Sequence, residues 1–116
     1  MTNITFFKRN GTYYGFKETG HSGYAEAGQD IVCSAISAMT MLIVNTIEIS
    51  YATDVEYVID EDTTDVTVTV PSILQDSGDN AHIRFAVSGL IQGYFMQLMD
   101  MLEDYYEYLS VEEIEK

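Results

Sequence analysis

The sequence predicts an α+β fold, a mainly antiparallel sheet of about four strands with two packed helices, from three observations. Two pairs of short strand-like segments are each joined by a turn. One helix-length segment is apolar around most of its circumference, and a longer one has apolar residues at three- and four-residue steps. The elements follow the order ββαββα, and residues 1–116 are expected to form a single domain because 47% apolar content suffices for one core.

The first two strands are predicted to form a hairpin around Asn10-Gly11. This pair separates "NITFFKR" from "TYYGFKE" and readily adopts the positive φ angles of a tight turn. Residues 3–18 are therefore expected to form two antiparallel strands, and the glycine-rich residues 20–28 are expected to form a loop after them.

The first helix is predicted to begin after Asp30, which is placed to be its N-cap. The residues that follow, "IVCSAISAMTMLIVNTIEI", are apolar on most sides, so this helix is expected to be largely buried. Its apolar run, Ile31 to Val44, is interrupted by hydroxyl side chains and is shorter than the roughly 20 residues of a membrane span. We therefore expect a soluble protein with no membrane partner.

The second half repeats the pattern of hairpin and helix. "DVEYVID" and "DVTVTV" alternate apolar and polar residues and are joined through "EDTT", with Pro71 at the end. After the polar loop "SILQDSGDN", a long amphipathic helix is marked by Ile83, Val87, Leu90, Tyr94, Leu98, Met101 and Tyr105. Within it, Gly89 and Gly93 predict the close approach of another backbone, from the first helix or from another subunit. Ser110, three residues before Glu113, matches a capping box and predicts a short terminal helix.

The composition limits the partners and the compartment. Nineteen acidic against five basic residues give a net charge of −14, which disfavours direct nucleic-acid binding and attracts cationic polypeptides, although it can also serve solubility alone. Cys33 is the only cysteine, so no intramolecular disulfide is possible and a reducing, cytoplasmic location fits best. The first residues, "MTNITFFKRN", lack the apolar run of a secretory signal.

His21 and Cys33 are the candidate catalytic pair. A cap at Asp30 would put Cys33 at the third helical position, where unpaired N–H groups and the helix dipole favour a thiolate. The loop after the second strand is long enough to bring His21 to it. Cys33 would then attack a carbonyl carbon while His21 passes a proton to the departing amine, and free N–H groups at the helix start would form the oxyanion hole.

For three residues of this motif, the sequence allows two interpretations. Ser37, one turn after Cys33, could hold a hydrogen bond near the site or simply allow tight packing. Asp30 could orient His21 or act only as the cap. Cys33 itself could be a small buried apolar residue without catalytic duty.

Metal and cofactor chemistry is not predicted. His21, His82 and Cys33 supply only three nitrogen or sulfur ligands, and no CxxC pair exists, which disfavours a zinc site. The acidic group at residues 60–65 lacks the glycine and the final glutamate of an EF-hand loop, so it is expected to be a solvated turn. His82 is expected near the start of the second helix, without a catalytic role. No cofactor is expected.

The segment "GHSGYAEAGQDIVCSAIS" resembles the ribosomal-processing cysteine protease family, in which Gly-His-x-Gly-Tyr precedes a glycine, then Asp-Ile-Val-Cys and a helix with a serine one turn later. The element order, the chain length and "GLIQGYFMQL" in the last helix are similar as well. The resemblance covers essentially the whole chain, although only residues 20–37 are specific. It implies His21 and Cys33 as the catalytic dyad of a single cysteine protease domain. The other motif positions are Gly20, Asp30 and Ser37.

The resemblance implies an endopeptidase that removes a short N-terminal extension from a protein of the large ribosomal subunit. The family's target is aromatic and apolar before the cut and basic beyond it, which suits an acidic protein rich in Tyr, Phe and Met. The family looks dimeric, which implies a homodimer, and the loop over residues 20–29 is expected to close over the peptide. Two alternatives remain open: an acidic module that only binds a basic ribosomal partner, and a thiol-dependent enzyme of another type, such as an acyl transferase.

Overall fold

The fold is a mixed sheet of five strands that carries two helices. A computed structural model describes residues 1–20, 27–75 and 80–116. Its strands are β1 (Thr2–Arg9), β2 (Thr12–Thr19), β3 (Glu56–Ile59), β4 (Val66–Thr69) and β5 (Leu109–Glu115). Its helices are α1 (Ala27–Asn45), continued by a π-helical turn (Thr46–Ser50), and α2 (Ala81–Tyr105), preceded by a 3-10 turn (Pro71–Leu74). The strand order in the described sheet is β3-β4-β2-β1-β5.

The predicted α+β class with two helices is confirmed, and so is the first hairpin. β1 and β2 pair antiparallel, and Arg9 opposite Thr12 closes the turn. Asn10 and Gly11 have φ angles of 49° and 81°, as a two-residue hairpin turn of this hand requires. This hairpin supplies the two central strands that position the site.

Both helices pack on one face of the sheet. Phe6 of β1 and Phe16 of β2 are fully buried there, with ring centroids 5.4 and 5.0 Å from the ring of Tyr94 in α2. On the same face of β2, Glu18 accepts hydrogen bonds from Thr40 of α1 and from Tyr94. Because these two donors come from different helices, α1 and α2 lie side by side over one face, in two layers.

Helix α1 begins earlier and is less buried than predicted. Ala27 is already helical, so Asp30 lies inside the first turn and is not the N-cap. The helical segment Ala27–Ser50 has 24 residues. Its most apolar stretch of 18 residues has a mean hydropathy of 1.7, and only 33% of that stretch is buried. By length and composition alone it could cross a membrane, contrary to the expectation from the run between Ile31 and Val44. This criterion does not by itself indicate a span, because helices packed in soluble proteins also meet it.

The C-terminal segment is a strand, so the predicted terminal helix and the count of four strands are wrong. β5 pairs in parallel with β1, starting with Leu109 opposite Thr2, and Leu109 is 2% exposed. The two residues that matched a capping box instead bond across the sheet. Ser110 Oγ bonds with Asn3 of β1, and Glu113 accepts a 2.6 Å hydrogen bond from the Tyr13 hydroxyl of β2. Burial of Leu109 and these cross-strand bonds outweigh the local helix signal.

The second hairpin and the long helix are confirmed. β3 and β4 pair antiparallel, with Ile59 opposite Val66. In their turn, the N–H groups of Thr63 and Asp62 donate to the Asp60 carboxylate and hold its pKa below the ordinary value, as in a solvated turn. Helix α2 runs through the whole predicted amphipathic segment.

Gly89 and Gly93 of α2 face open space within the chain. A Cβ atom built on either glycine would meet no described atom within 4 Å, so α1 is not the close neighbour that the sequence predicted. Beside them lies an open, apolar groove of about 330 Å³ between α1 and α2, also lined by Met39, Leu42 and Leu90. The other predicted neighbour, a second subunit, stays a prediction.

Candidate active site

Cys33 lies nearly two turns into α1, counted from the first described helical residue, Ala27. At this depth the backbone N–H groups are paired with carbonyl groups of the preceding turn. The predictions that Cys33 is the third helical residue and that free N–H groups around it form the oxyanion hole are therefore wrong. Helix α1 starts early where its first turn packs on Tyr108: a Cβ on Gly28 would lie 2.3 Å from that ring.

The Cys33 thiol belongs to a small polar group with Thr2 of β1 and Gln29 of α1, which we call the thiol cluster. Gln29 Nε2 lies 3.3 Å from Cys33 Sγ and 2.8 Å from Thr2 Oγ1, and Thr2 Oγ1 lies 3.9 Å from Sγ. Cys33 is partly exposed, whereas Gln29 and Thr2 are buried. A purely apolar, buried role for Cys33 does not fit a partly exposed residue whose sulfur contacts two polar side chains.

Gly20 brings the end of β2 against the first residue of the chain. Its φ angle is 83°, and a Cβ at this position would lie 2.1 Å from the carbonyl oxygen of Met1. Only glycine tolerates both conditions. Thr2, the neighbour of Met1, contacts Cys33, so the start of β1 connects the residue before His21 with the thiol.

His21 lies outside the described residues, together with residues 22–26. Its predicted approach to Cys33 and the closure of the loop therefore stay predictions. Residues 27–29, which the sequence assigned to that loop, are helical.

Asp30 and Ser37 are both exposed on α1. In the first turn of the helix, the Asp30 carboxylate interacts favourably with the positive end of the helix dipole, which replaces the predicted capping role. Ser37 follows Cys33 by one turn and is open to solvent, so the structure does not show the tight packing that the sequence allowed for it.

Comparison with known proteins identifies the family. The family model described as cysteine protease Prp matches residues 1–110. The chain belongs to the Prp family of cysteine proteases. A search of the curated proteins found no match. The resemblance drawn from residues 20–37 is thereby confirmed, together with the activity class, a cysteine protease.

Solved structures similar to this Prp-family chain share its whole fold. SMU.848 from Streptococcus mutans is 25% identical, with a TM-score of 0.79 over 100% of this chain and 99% of its own. The ribosomal processing protease Prp from S. aureus, in complex with a substrate peptide, is 17% identical with a TM-score of 0.78. The same protease with a covalently linked product peptide is 19% identical, with a TM-score of 0.75. Both complexes cover 98% of this chain and 100% of their own, and at these identities they show the fold alone.

His82, the other histidine, lies at the far end of α1 from the thiol. It is exposed at the start of α2, as predicted, and lines a cavity with Ser50 and Tyr51. Ser50 follows Cys33 by roughly 25 Å of helix. His82 therefore has no part in a dyad with Cys33, and the pairing of His21 with Cys33 stays a prediction.

Sequence reasoning missed a second polar group under α1, made of Glu18, Thr40 and Tyr94, which we call the carboxyl cluster. Glu18 is 2% exposed, and its carboxyl oxygen accepts hydrogen bonds from Thr40 and, at 3.2 Å, from Tyr94. Burial raises the pKa of Glu18 to about 7, against the two hydrogen bonds, which lower it. Burial and the nearby carboxylate also raise the pKa of Tyr94.

Gln29 was also missed, although its spacing offered a signal. It stands four residues before Cys33, the separation at which two side chains meet on one face of a helix. No comparable spacing in the sequence indicated the roles of Thr2 and Glu18, because their contacts join residues distant in sequence.

Acidic side chains precede Tyr108, the residue that packs on the first turn of α1. Glu103, Asp104 and Glu107 are exposed in the segment that leads to Tyr108, the residue whose ring packs on Gly28. A basic peptide approaching the thiol cluster from this side would meet negative charge, in a chain whose net charge is already −14.

Proposed function

We propose that this Prp-family protease is an endopeptidase that uses Cys33 and His21 to remove a short N-terminal extension from a protein of the large ribosomal subunit. One observation carries the proposal: the start of β1 contacts both Gly20, the residue before His21, and the sulfur of Cys33.

The proposed chemistry is acyl transfer to sulfur followed by hydrolysis. The Cys33 thiolate attacks the scissile carbonyl carbon, and the His21 imidazolium gives its proton to the leaving amine as the peptide bond breaks. A water molecule then attacks the thioester carbonyl carbon and gives a proton to His21, the carbon–sulfur bond breaks, and the carboxylic acid leaves with the Cys33 thiolate restored. His21 thus ends each cycle in its starting state.

Two observations support a ribosomal substrate. A structural relative with the same fold, from S. aureus, is a ribosomal processing protease seen with a substrate peptide. In this chain, the exposed acidic residues before Tyr108 suit a target that is basic beyond the cut. Such a substrate is made on ribosomes, so we place the enzyme in the cytoplasm.

Mass spectrometry of an N-terminally extended large-subunit ribosomal protein, incubated with the enzyme, tests the proposal. We expect one truncated product with the wild type and none with Cys33→Ala or His21→Ala. His82→Ala is the matched control, because it removes an exposed histidine at the far end of α1, and it should cleave at the wild-type rate. An unprocessed extended protein in the presence of folded wild-type enzyme would overturn the proposal and favour a module that only binds the ribosomal partner.

We also propose that the enzyme acts as a homodimer formed through α1 and α2. Phe85 is 83% exposed, and it lies one turn before the open space above Gly89 and Gly93. Under twofold symmetry, the Phe85 side chain of one copy fills the space above these glycines in the other, so the same contact forms twice. Leu42 of α1, 61% exposed, extends the apolar surface on the other side of the groove.

Light scattering during size-exclusion chromatography measures the mass directly. A dimer is expected for the wild type, and a monomer for Phe85→Ser and for Gly93→Gln, which fills the groove with a polar side chain. Val58→Ser, which changes an exposed apolar residue of the edge strand β3, should leave the dimer intact. A monomeric wild-type protein at about 100 μM would contradict the dimer.

A further inference from the structure

We propose that Gln29 is a positioning residue that holds the Cys33 sulfur and favours its ionised form, and that Thr2 anchors Gln29 in this role. The inference deepens the proposed function and rests on it, because it assigns the group that prepares Cys33 for attack. It also supplies a hydrogen-bond donor to the sulfur. The unpaired N–H groups of the helix end, which the sequence predicted around Cys33, lie about a turn or more before it.

The amide of Gln29 is oriented so that one nitrogen serves two acceptors. Nε2 carries two N–H groups. It lies 2.8 Å from Thr2 Oγ1 and 3.3 Å from Cys33 Sγ, so each N–H has an acceptor of its own. With both N–H groups engaged, the amide plane is fixed relative to the sulfur.

The hydrogen bond to sulfur strengthens when the thiol loses its proton. A neutral thiol is a weak acceptor, whereas a hydrogen bond to an ionised group is about twice as strong as one between neutral groups. Gln29 therefore stabilises the thiolate more than the thiol. Only such a difference shifts Cys33 toward the form that attacks a carbonyl carbon.

The Thr2 hydroxyl adapts to both protonation states of Cys33. Its oxygen accepts the N–H of Gln29 and lies 3.9 Å from Sγ, where either atom can donate. With a neutral thiol, the S–H can donate to Thr2; with a thiolate, the hydroxyl rotates and donates to sulfur. Two donors then converge on the anion, one from α1 and one from β1.

Burial gives the arrangement its rigidity. Gln29 is 5% exposed and Thr2 is fully buried, so neither side chain has free alternatives in water. The backbone of Thr2 is held as well, because its N–H donates a 2.8 Å hydrogen bond to the carbonyl oxygen of Tyr108, the residue before β5. Donors that are already in place when charge develops contribute more than donors that must first reorient.

Alkylation of Cys33 by iodoacetamide tests the role without any substrate, because Cys33 is the only cysteine. Gln29→Leu keeps the size of the side chain and removes both donors. We expect the alkylation rate at about pH 7 to fall about three- to tenfold, with the rate profile shifted to higher pH, because less thiolate is present although each thiolate reacts faster. An unchanged profile in a folded variant would overturn the proposal.

Thr40→Val is the matched control for stability. It removes a buried hydrogen bond on the same helix, two turns beyond Cys33, and leaves the thiol cluster untouched. Its alkylation profile should coincide with that of the wild type although its melting temperature is lower. If Thr40→Val slowed alkylation as much as Gln29→Leu, loss of stability would be the cause and the proposal would be wrong.

Thr2 variants keep the test decisive if Gln29→Leu does not fold. Thr2→Val preserves the shape and strand preference of Thr2 but removes the anchor, so alkylation should slow by about threefold, and Thr2→Ser should restore the rate. Equal rates for Val and Ser at position 2 would contradict the anchoring role.

Peptide cleavage separates this inference from the proposed function. If the protein cleaves the extended ribosomal protein, Gln29→Leu should lower kcat and leave KM within about twofold, because Gln29 acts on the nucleophile and not on the bound peptide. If no variant cleaves it but alkylation still depends on Gln29, the proposed substrate fails and the role of Gln29 stands.

Discussion

The thiol cluster and the carboxyl cluster both lie between α1 and the sheet, yet they differ in exposure. Glu18 receives two hydrogen bonds, and burial nevertheless raises its pKa to about 7. Cys33 has a comparable set of polar neighbours but is partly exposed. Donors alone therefore do not make a stable anion. At Glu18, burial outweighs the two donors, whereas the thiol cluster combines its donors with partial exposure to solvent.

The largest expected difference between the clusters is in activity. Cys33→Ala should lower cleavage of the extended ribosomal protein by at least about a thousandfold, because it removes the nucleophile. The free energy of unfolding should change by less than about 1 kcal/mol, because the lost sulfur is partly exposed and small. Cleavage and urea unfolding measured on one preparation check both statements. If the variant retained cleavage, Cys33 would not be the nucleophile.

The next largest effect is the pH dependence of stability, which belongs to the carboxyl cluster. Between the ordinary pKa of 4.5 and the folded value of about 7, folded Glu18 keeps a proton that the unfolded chain has released. Stability should therefore fall as the pH rises through this window, by up to about 3 kcal/mol, and stay level above it. Glu18→Gln imitates the protonated acid and should remove the slope.

Urea unfolding of the wild type and Glu18→Gln at about pH 5 and pH 8 measures this slope. The two proteins should have similar stability at the lower pH, and the variant should be more stable at the higher pH. An equal slope in both proteins would assign the pH dependence to another group.

Thr40→Val should weaken the same cluster by about 2 kcal/mol, since it leaves a buried carboxyl with one donor fewer. The hydrogen bond from Thr40 lowers the pKa of Glu18, so its loss raises that pKa further. The destabilisation should therefore be greater at about pH 8 than at pH 5. Thr40→Ser, which keeps the hydroxyl, should recover most of the loss; an equal loss in both variants would point to packing instead.

The smallest effect is expected for Tyr94→Phe. It removes the 3.2 Å hydrogen bond to Glu18 and keeps the ring contacts with Phe6 and Phe16. We expect a loss of about 1 kcal/mol, with cleavage and alkylation unchanged. A slower alkylation of Cys33 in this variant would mean that the two clusters are coupled through α1.

The elements that could be predicted from sequence are those with local signals. Asn10-Gly11 sets its own turn, and the spacing of apolar residues in α2 reflects a single helix on a flat sheet. β5 was mistaken for a helix because Ser110 and Glu113 have helix-cap spacing, whereas the contacts that decide their conformation come from Asn3 and Tyr13, about a hundred residues earlier. Local patterns carry no information on such partners.

The site follows the same division. The motif around Cys33 was sufficient to recognise a cysteine protease family, since residue types and spacing are local. The start of α1 was not predictable from local signals, because its first turn packs on Tyr108, a residue distant in sequence. Because the helix starts earlier than predicted, its free N–H groups do not lie around Cys33. The groups close to the sulfur are instead the side chains of Gln29 and Thr2.

The packing of Met1 against Gly20 has a practical consequence for anyone who produces this enzyme. An affinity tag fused ahead of Met1 would emerge beside the thiol cluster, where it could obstruct the peptide or be mistaken for one. The backbone N–H of Lys116 donates to the carbonyl oxygen of Lys8, at the opposite end of β1. A tag placed after Lys116 therefore leaves the sheet about 20 Å from the thiol cluster. Purification handles therefore belong after Lys116.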